Sequence, residues 1–258
     1  MYLYRIRKGD NIMSTNAVSV SQKTCSYDLF VSEIVSQRKA YILFQKADDL
    51  LAIKEAIQEL VPQLKILGAN EVFVSSKDIS TTLPEDEFYV NNVLFHYDHQ
   101  MKRLILSPMK KATPEKTPGV TLLPLTASLA KDYLKIYNEG FYLVPNSALY
   151  TVEDITRMMY SPSYEGGVVQ INGANGGVYE LSYTEEVPEV ASVALASAYR
   201  GKGYGKKVFR SALYKLEQKG FNEAFVQVST KNIEALSLYI ELGFEEESTL
   251  SVWYKAIV

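Results

Sequence analysis

The stretch that most limits what this chain can fold into is Arg200-Gly-Lys-Gly-Tyr-Gly205. It stands between an apolar run, Val190 to Leu195, and an amphipathic segment that reaches Lys219. Closely spaced glycines allow left-handed backbone and let several N–H groups converge. A helix starting directly afterwards adds partial positive charge at the same point. Arg200, Lys202, Lys206 and Lys207 add full charges. A pyrophosphate is the natural occupant, and an ordinary strand-to-helix turn is the bland alternative. The spacing is neither that of a P-loop nor that of a dinucleotide-binding fingerprint. A second apolar run, Ala224 to Val228, and a helical segment, Asn232 to Phe244, follow. Strand, turn, helix, strand, helix is a unit able to hold a phosphorylated ligand.

Composition narrows the field. Among 258 residues, 47% are hydrophobic and 22% charged, as in ordinary globular proteins. The net charge of −3 argues against a general electrostatic grip on nucleic acid or an anionic membrane. No apolar run approaches the roughly 18 to 20 residues that span a bilayer, and the first ten residues read without a signal peptide. Cys25 is the only cysteine, which excludes an intrachain disulfide and a thiolate metal cluster. Nothing near it marks a partnered base, so a nucleophilic role is not expected. His96 and His99 lie on an alternating run and lack further ligands, so no metal site is expected. Together these features predict a cytoplasmic protein; a monomer or homodimer is expected.

Residues 2 to 7 read as a strand and 11 to 26, rich in Ser, Thr and Asn, as a loop or disorder. Lys39 to Gln45 reads as a buried strand. Asp48 or Asp49 can cap a helix to about Leu60, which Pro62 would kink or interrupt. Gly68 stops it and Glu71 to Ser75 is a strand. Phe88 to Phe95 and Lys102 to Leu106 read as a hairpin turning through 98–101. Residues 107–119 carry three prolines and three lysines and read as a boundary. The expected organisation is therefore a domain over 1–112, a linker over 113–119 and a domain over 120–258. In the latter, Val120 to Leu125 is a strand, Ala127 to Tyr137 a helix, and Thr151 with Asp154 starts a second helix. Gly166 to Ile171 and Gly177 to Tyr183 form a hairpin, and Ser248 to Ile257 is a closing strand. Gly68-Ala-Asn-Glu-Val-Phe-Val74 echoes Gly220-Phe-Asn-Glu-Ala-Phe-Val226, each after a helical segment. The N-terminal part thus reads as a shortened relative of the C-terminal part without the glycine turn.

The order Arg-x-x-Gly-x-Gly, then Asn-x-x-Ala-x-x-x-Tyr-x-x-x-Gly-Phe, resembles the GNAT superfamily of acetyl-CoA-dependent N-acetyltransferases. Arg200, Gly203 and Gly205 match its acetyl-CoA signature, and Asn232, Ala235, Tyr239, Gly243 and Phe244 match its later helix. The tandem layout is similar to that of mycothiol synthase-type members. The resemblance implies an α/β fold with a mixed sheet whose central strands splay apart, preceded by a smaller, degenerate copy. It also implies acetyl-CoA as cosubstrate and an amine of a small molecule or peptide as acceptor.

By the same resemblance, the backbone of Val193 and Leu195 would hold the pantetheine arm, and an N–H there would face the thioester oxygen. Arg200, Gly201, Lys202, Gly203, Tyr204, Gly205 and Lys206 would hold the pyrophosphate. Asn232 would reach the cofactor, cap its helix, or do both. Tyr239 would be the general acid, with a packed core tyrosine as the alternative. Glu189 would be the general base, with Glu180, Glu185 and Glu186 as rivals. Aromatic residues between Asn138 and Tyr150 would line the acceptor pocket or form a packed lid. The N-terminal part is expected to be structural, covering a sheet edge or building one wall of the cleft. The competing reading is a non-catalytic acyl-CoA-binding protein with a docking N-terminal domain.

Overall fold

The structure is a computed structural model; it describes residues 17–77, 83, 86–109, 119–142, 144 and 149–258. The expected strand over 2–7 and most of the expected linker lie outside these residues. In chain order the elements are β1 (Ala17–Ser21), β2 (Cys25–Phe30), α1 (Glu33–Gln37), β3 (Lys39–Ala47), α2 (Leu50–Ile66), β4 (Glu71–Ser76), β5 (Glu87–Val90) and β6 (Val93–Leu106). There follow β7 (Val120–Pro124), α3 (Ala130–Phe141), α4 (Val152–Met159), β8 (Tyr164–Ile171), β9 (Ala174–Ser182) and β10 (Glu189–Leu195). The chain continues with α5 (Tyr204–Gln218), β11 (Ala224–Ser229), α6 (Ile233–Glu241) and β12 (Glu245–Ile257). Two compact units result: residues 1–101 with 249–258, and residues 102–248.

In the first unit β1, β2, β3, β4 and the end of β12 are neighbours in that order, with only β3 and β4 parallel. The apolar face of α2, from Ala52 and Ile53 to Leu64, packs on this mixed sheet with Ile42, Phe44 and Val74. Asp49 caps α2 by accepting from the Ala52 N–H at 2.9 Å. Pro62 sits inside an unbroken helix, contrary to expectation. It lies on the exposed face, as does Gln58 one turn earlier, so water can satisfy the carbonyl whose partner is missing. The expected loop up to Ser26 instead holds β1 and the start of β2, whose Val18 and Val20 alternate with serines. The expected turn at 98–101 is not one: β6 runs straight through it. The hairpin closes at Asn91-Asn92, where Val90 faces Val93 and Asn91 adopts φ 52°. Buried His99 bonds Asp98 at 2.7 Å and stacks on Trp253, a core role, and burial pushes the Cys25 thiol up.

In the second unit the order β11-β10-β9-β8-β7 is antiparallel except for β10 and β11. One face carries α5 through Val208, Phe209, Ala212, Leu213 and Leu216, all buried. Burying each large side chain there contributes about 1.5–3 kcal/mol. The other face carries α3 and α4 through Tyr133, Ile136, Tyr137, Ile155 and Met158. Gly140 lets the end of α3 approach β10, because a Cβ there would stand 2.6 Å from that of Ala194. Thr151 and Asp154 form the expected capping box, and Asn172-Gly173, both at positive φ, close the β8–β9 hairpin.

The two units repeat one motif. In each, a helix ends on a positive-φ glycine, Gly68 or Gly220, and feeds a strand parallel to the one before the helix. The difference lies in the pairing. β3 and β4 are zipped over six registers, whereas β10 and β11 meet at one, Glu189 opposite Phe225. The first unit is closed where the second opens.

Candidate active site

The opening between β10 and β11 starts from a bulge. Along β10 the partners on β9 run Glu189–Ser182 and Val190–Leu181, then Ser192–Glu180 to Leu195–Gly177, leaving Ala191 extra. A bulge reverses the direction in which the following backbone groups point. The Ala196 N–H donates to the Gly176 carbonyl at 3.0 Å, so it faces β9. By alternation, the amides of Val193 and Leu195 face away from β9, into the gap. The Leu195 carbonyl also points that way, since it accepts from Arg200 Nε at 2.8 Å. Beyond Glu189 no β11 residue pairs with this edge. It is a row of strand amides open to an extended ligand.

The glycine turn stands at the end of this edge. Gly201 (φ 68°) and Gly203 (φ 76°) are both left-handed, and open space surrounds the position of a Cβ at each. Gly203 precedes α5 and offers no side-chain cap, and the first turn holds no acidic residue. The leading N–H groups of α5 are therefore available to an anion. The cationic side chains behave differently from expectation. Arg200 ties the turn to Leu195 and, at 3.5 Å, to the Glu139 carbonyl. Lys202 bonds the Ala198 carbonyl at 2.7 Å, and Lys206 pairs with Glu241. Tyr204 accepts from Asn172 at 3.1 Å, and the Lys207 ammonium lies over its ring. The turn thus presents backbone N–H groups forward, while its cations brace it. Asn232 caps α6, accepting from the Ala235 N–H at 3.2 Å.

Glu189, at the mouth of the gap, is half-buried. Burial, then the Glu185 charge and to a smaller extent that of Glu180, push its carboxyl up to about 7. The Arg103 guanidinium and a hydrogen bond with Gln227 oppose this. Tyr239, half-buried on α6, packs its ring against Phe209 and Phe244 at 5.0 and 5.9 Å. Burial, and then the Glu189 charge, hold its phenol above the ordinary tyrosine value. The two residues therefore share one field. Arg103 was not foreseen. It bonds Glu185 at 2.8 Å and Glu247 at 2.5 Å and stacks over Phe225 at 3.5 Å. No motif surrounds it, and it lies 82 residues from Glu185.

Glu180, one of the rival carboxylates, lies behind the bulge, 3% exposed. Tyr133 and Tyr150 donate to its two oxygens, the latter at 3.3 Å, and Ser192 stands opposite it on β10. Burial dominates and raises its pKa. Tyr150 stacks on Tyr137 at 4.0 Å, which places the end of the 138–150 stretch on the core; residues 143 and 145–148 lie outside the described set. Glu185 and Glu186 are exposed.

A mixed sheet with one splayed parallel pair, and a helix N-terminus built on a glycine turn beside it, define the acetyltransferase fold that the motifs resemble. Residues 132–244 match the Acetyltransferase (GNAT) family. An uncharacterized N-acetyltransferase of Escherichia coli K12, YjgM, is 31% identical over 142 residues, 53% of this chain and 81% of that protein. The chain belongs to the GNAT acetyltransferase family. A mycothiol acetyltransferase of Corynebacterium aurimucosum is 25% identical over 139 residues, 48% of this chain. The match spans about half the length of that relative, 46%. A tandem GNAT protein from the clavulanic acid biosynthesis pathway has a similar fold, with a TM-score of 0.57, 11% identity, and coverage of 91% of this chain and 79% of that one.

Proposed function

We propose that this chain transfers an acetyl group from acetyl-CoA to a primary amine of a small molecule or peptide, by direct attack with both substrates bound. The observation that carries the reading is the open amide edge of β10 ending at the uncapped start of α5. An extended pantetheine arm fits the first, and a pyrophosphate fits the second. Acetyl-CoA supplies the activated acyl group as a thioester.

The residues then have separate tasks. The amides of Val193 and Leu195 bind the arm, and one of them faces the oxygen on which charge develops. The turn from Arg200 to Lys206 binds phosphate through its N–H groups, with Asn232 keeping α6 in register. Glu189 takes a proton from the incoming ammonium. A carboxyl that titrates near 7 is half ionised at neutral pH and more basic than an ordinary glutamate, which suits that step. Tyr239 keeps its proton throughout this range and delivers it to the leaving sulfur. Every group named lies within residues 102–248. The first unit, with its parallel pair zipped, has a structural part in this reading.

CoA release over a panel of primary amines tests the proposal, with Tyr239→Phe as the reference variant. Turnover should fall by about 10²-fold while acetyl-CoA still binds. Saturable binding without turnover on any amine would instead support a non-catalytic acyl-CoA-binding protein.

A further inference from the structure

Among the described residues of the second unit Glu180 is the most deeply buried carboxylate, and the mechanism above leaves it without a task. Its surroundings are built rather than incidental. Two hydroxyls donate to it, Tyr133 from α3 and Tyr150 from the approach to α4, and Ser192 of β10 stands opposite it across the strand pair. Tyr150 is fixed in turn. The Asn138 side chain bonds its backbone twice, donating to its carbonyl at 2.9 Å and accepting from its N–H at 2.8 Å. The Tyr150 ring is also stacked on Tyr137 of α3, with centroids 4.0 Å apart. Glu180 and Ser192 face each other across β9 and β10, immediately after the bulge. One carboxylate therefore joins α3, the approach to α4, and the first residue of the strand segment whose amides enter the gap.

A buried carboxylate without partners would be costly, and one with several donated hydrogen bonds is rigid. A bulge, by contrast, is a local slip that a strand can shift by one residue, and here a shift would turn the amides of Val193 and Leu195 toward β9. We propose that Glu180 is a positioning residue for the acyl carrier: through Ser192, Tyr133 and Tyr150 it locks the β10 bulge that aims the Val193 and Leu195 amides into the gap. The inference rests on the reading of that gap as the pantetheine site.

Glu180→Gln tests it because the amide keeps the shape but turns one acceptor oxygen into a donor. That donor faces a tyrosine hydroxyl that donates in the wild type, so the hydroxyl must turn to accept and its own proton loses its partner. The readout is calorimetric titration with two probes, acetyl-CoA and 3′-phosphoadenosine 5′-diphosphate. The second carries the phosphates but no pantetheine arm. The expected result is acetyl-CoA binding weakened about tenfold, the worth of one charge-assisted hydrogen bond, with the arm-less probe unchanged within about twofold. Adding Tyr150→Phe removes a clashing hydroxyl, so Glu180→Gln/Tyr150→Phe should recover most of the loss. Tyr133→Phe, which deletes a single hydroxyl, should weaken acetyl-CoA selectively by about threefold and guards against misfolding of the Gln variant. Wild-type affinity for acetyl-CoA in both Glu180→Gln and Tyr133→Phe would overturn the proposal, as would equal weakening of the two probes. Failure of the wild-type protein to bind either probe would overturn the gap assignment itself, and this inference with it.

Discussion

Replacing Glu189 by Gln should stabilise the protein while it removes the proton acceptor, and the stabilisation should depend on pH in a defined way. The carboxyl rises from an ordinary 4.5 to about 7 on folding, with burial as the main cause and Glu185 second. At 1.36 kcal/mol per pH unit, this rise corresponds to about 3 kcal/mol against the ionised form. Part of the rim is solvated, so about 2 kcal/mol is the expected size. The sign follows from proton uptake. Between 4.5 and about 7 the folded state binds more protons at this site than the unfolded state, so stability falls as pH rises through that window. Glutamine keeps the shape and carries no such slope. Chemical unfolding of both proteins from pH 4.5 to 8.5 should show near-equal stability at the acid end. Glu189→Gln should lead by about 2 kcal/mol above pH 8, where the difference levels off. Contributions from Glu180 and other shifted groups largely cancel in the difference. A difference that stays constant with pH would mean that Glu189 titrates like a surface glutamate, and the base assignment would lose its physical support.

Other outcomes follow from the same geometry. Arg103→Ala removes the cation that lowers the Glu189 pKa, so the acidic limb of the pH–rate profile should move to higher pH; an unmoved limb would separate Arg103 from the base. Gly203→Ala meets no atom within 4 Å but must hold φ 76°. It should therefore cost about 1 kcal/mol, or about 2–4 °C in Tm for a chain of this size. Tyr239→Phe should leave the calorimetric affinity for acetyl-CoA within about threefold of wild type, because the ring contacts with Phe209 and Phe244 survive. A large loss would make the hydroxyl a binding group rather than an acid.

Much of the candidate site was legible because its determinants are local. Glycines that need positive φ, the helix they open, and the Asn232 cap all reside within a few residues of one another. The Asn172-Gly173 hairpin and the Thr151 capping box are equally local. Elements fixed by context were harder to read. β1 has two serines among its five residues and becomes a strand because β2 pairs with it. The polar stretch 98–101 looked like a turn, yet it continues β6 because the actual turn residues, Asn91 and Asn92, come earlier. Pro62 could not reveal that it would fall on the solvent face of α2. Sequence alone suggests phosphate ligands in the cations of the glycine turn, but their reach back to Leu195, Ala198 and Glu241 depends on the folded backbone. Arg103 and the Glu180 network were invisible for the same reason: their partners arrive from distant strands and helices.

The central claim is that the β10–β11 gap and the glycine turn form an acetyl-CoA site. Calorimetric titration of the full chain with acetyl-CoA tests it most directly. Saturable one-to-one binding, weakened at least tenfold by Gly203→Glu, is the predicted result, because a carboxylate there meets the phosphate. No saturable binding at about 1 mM acetyl-CoA would contradict the account, because it would leave the open edge of β10 without the ligand assigned to it.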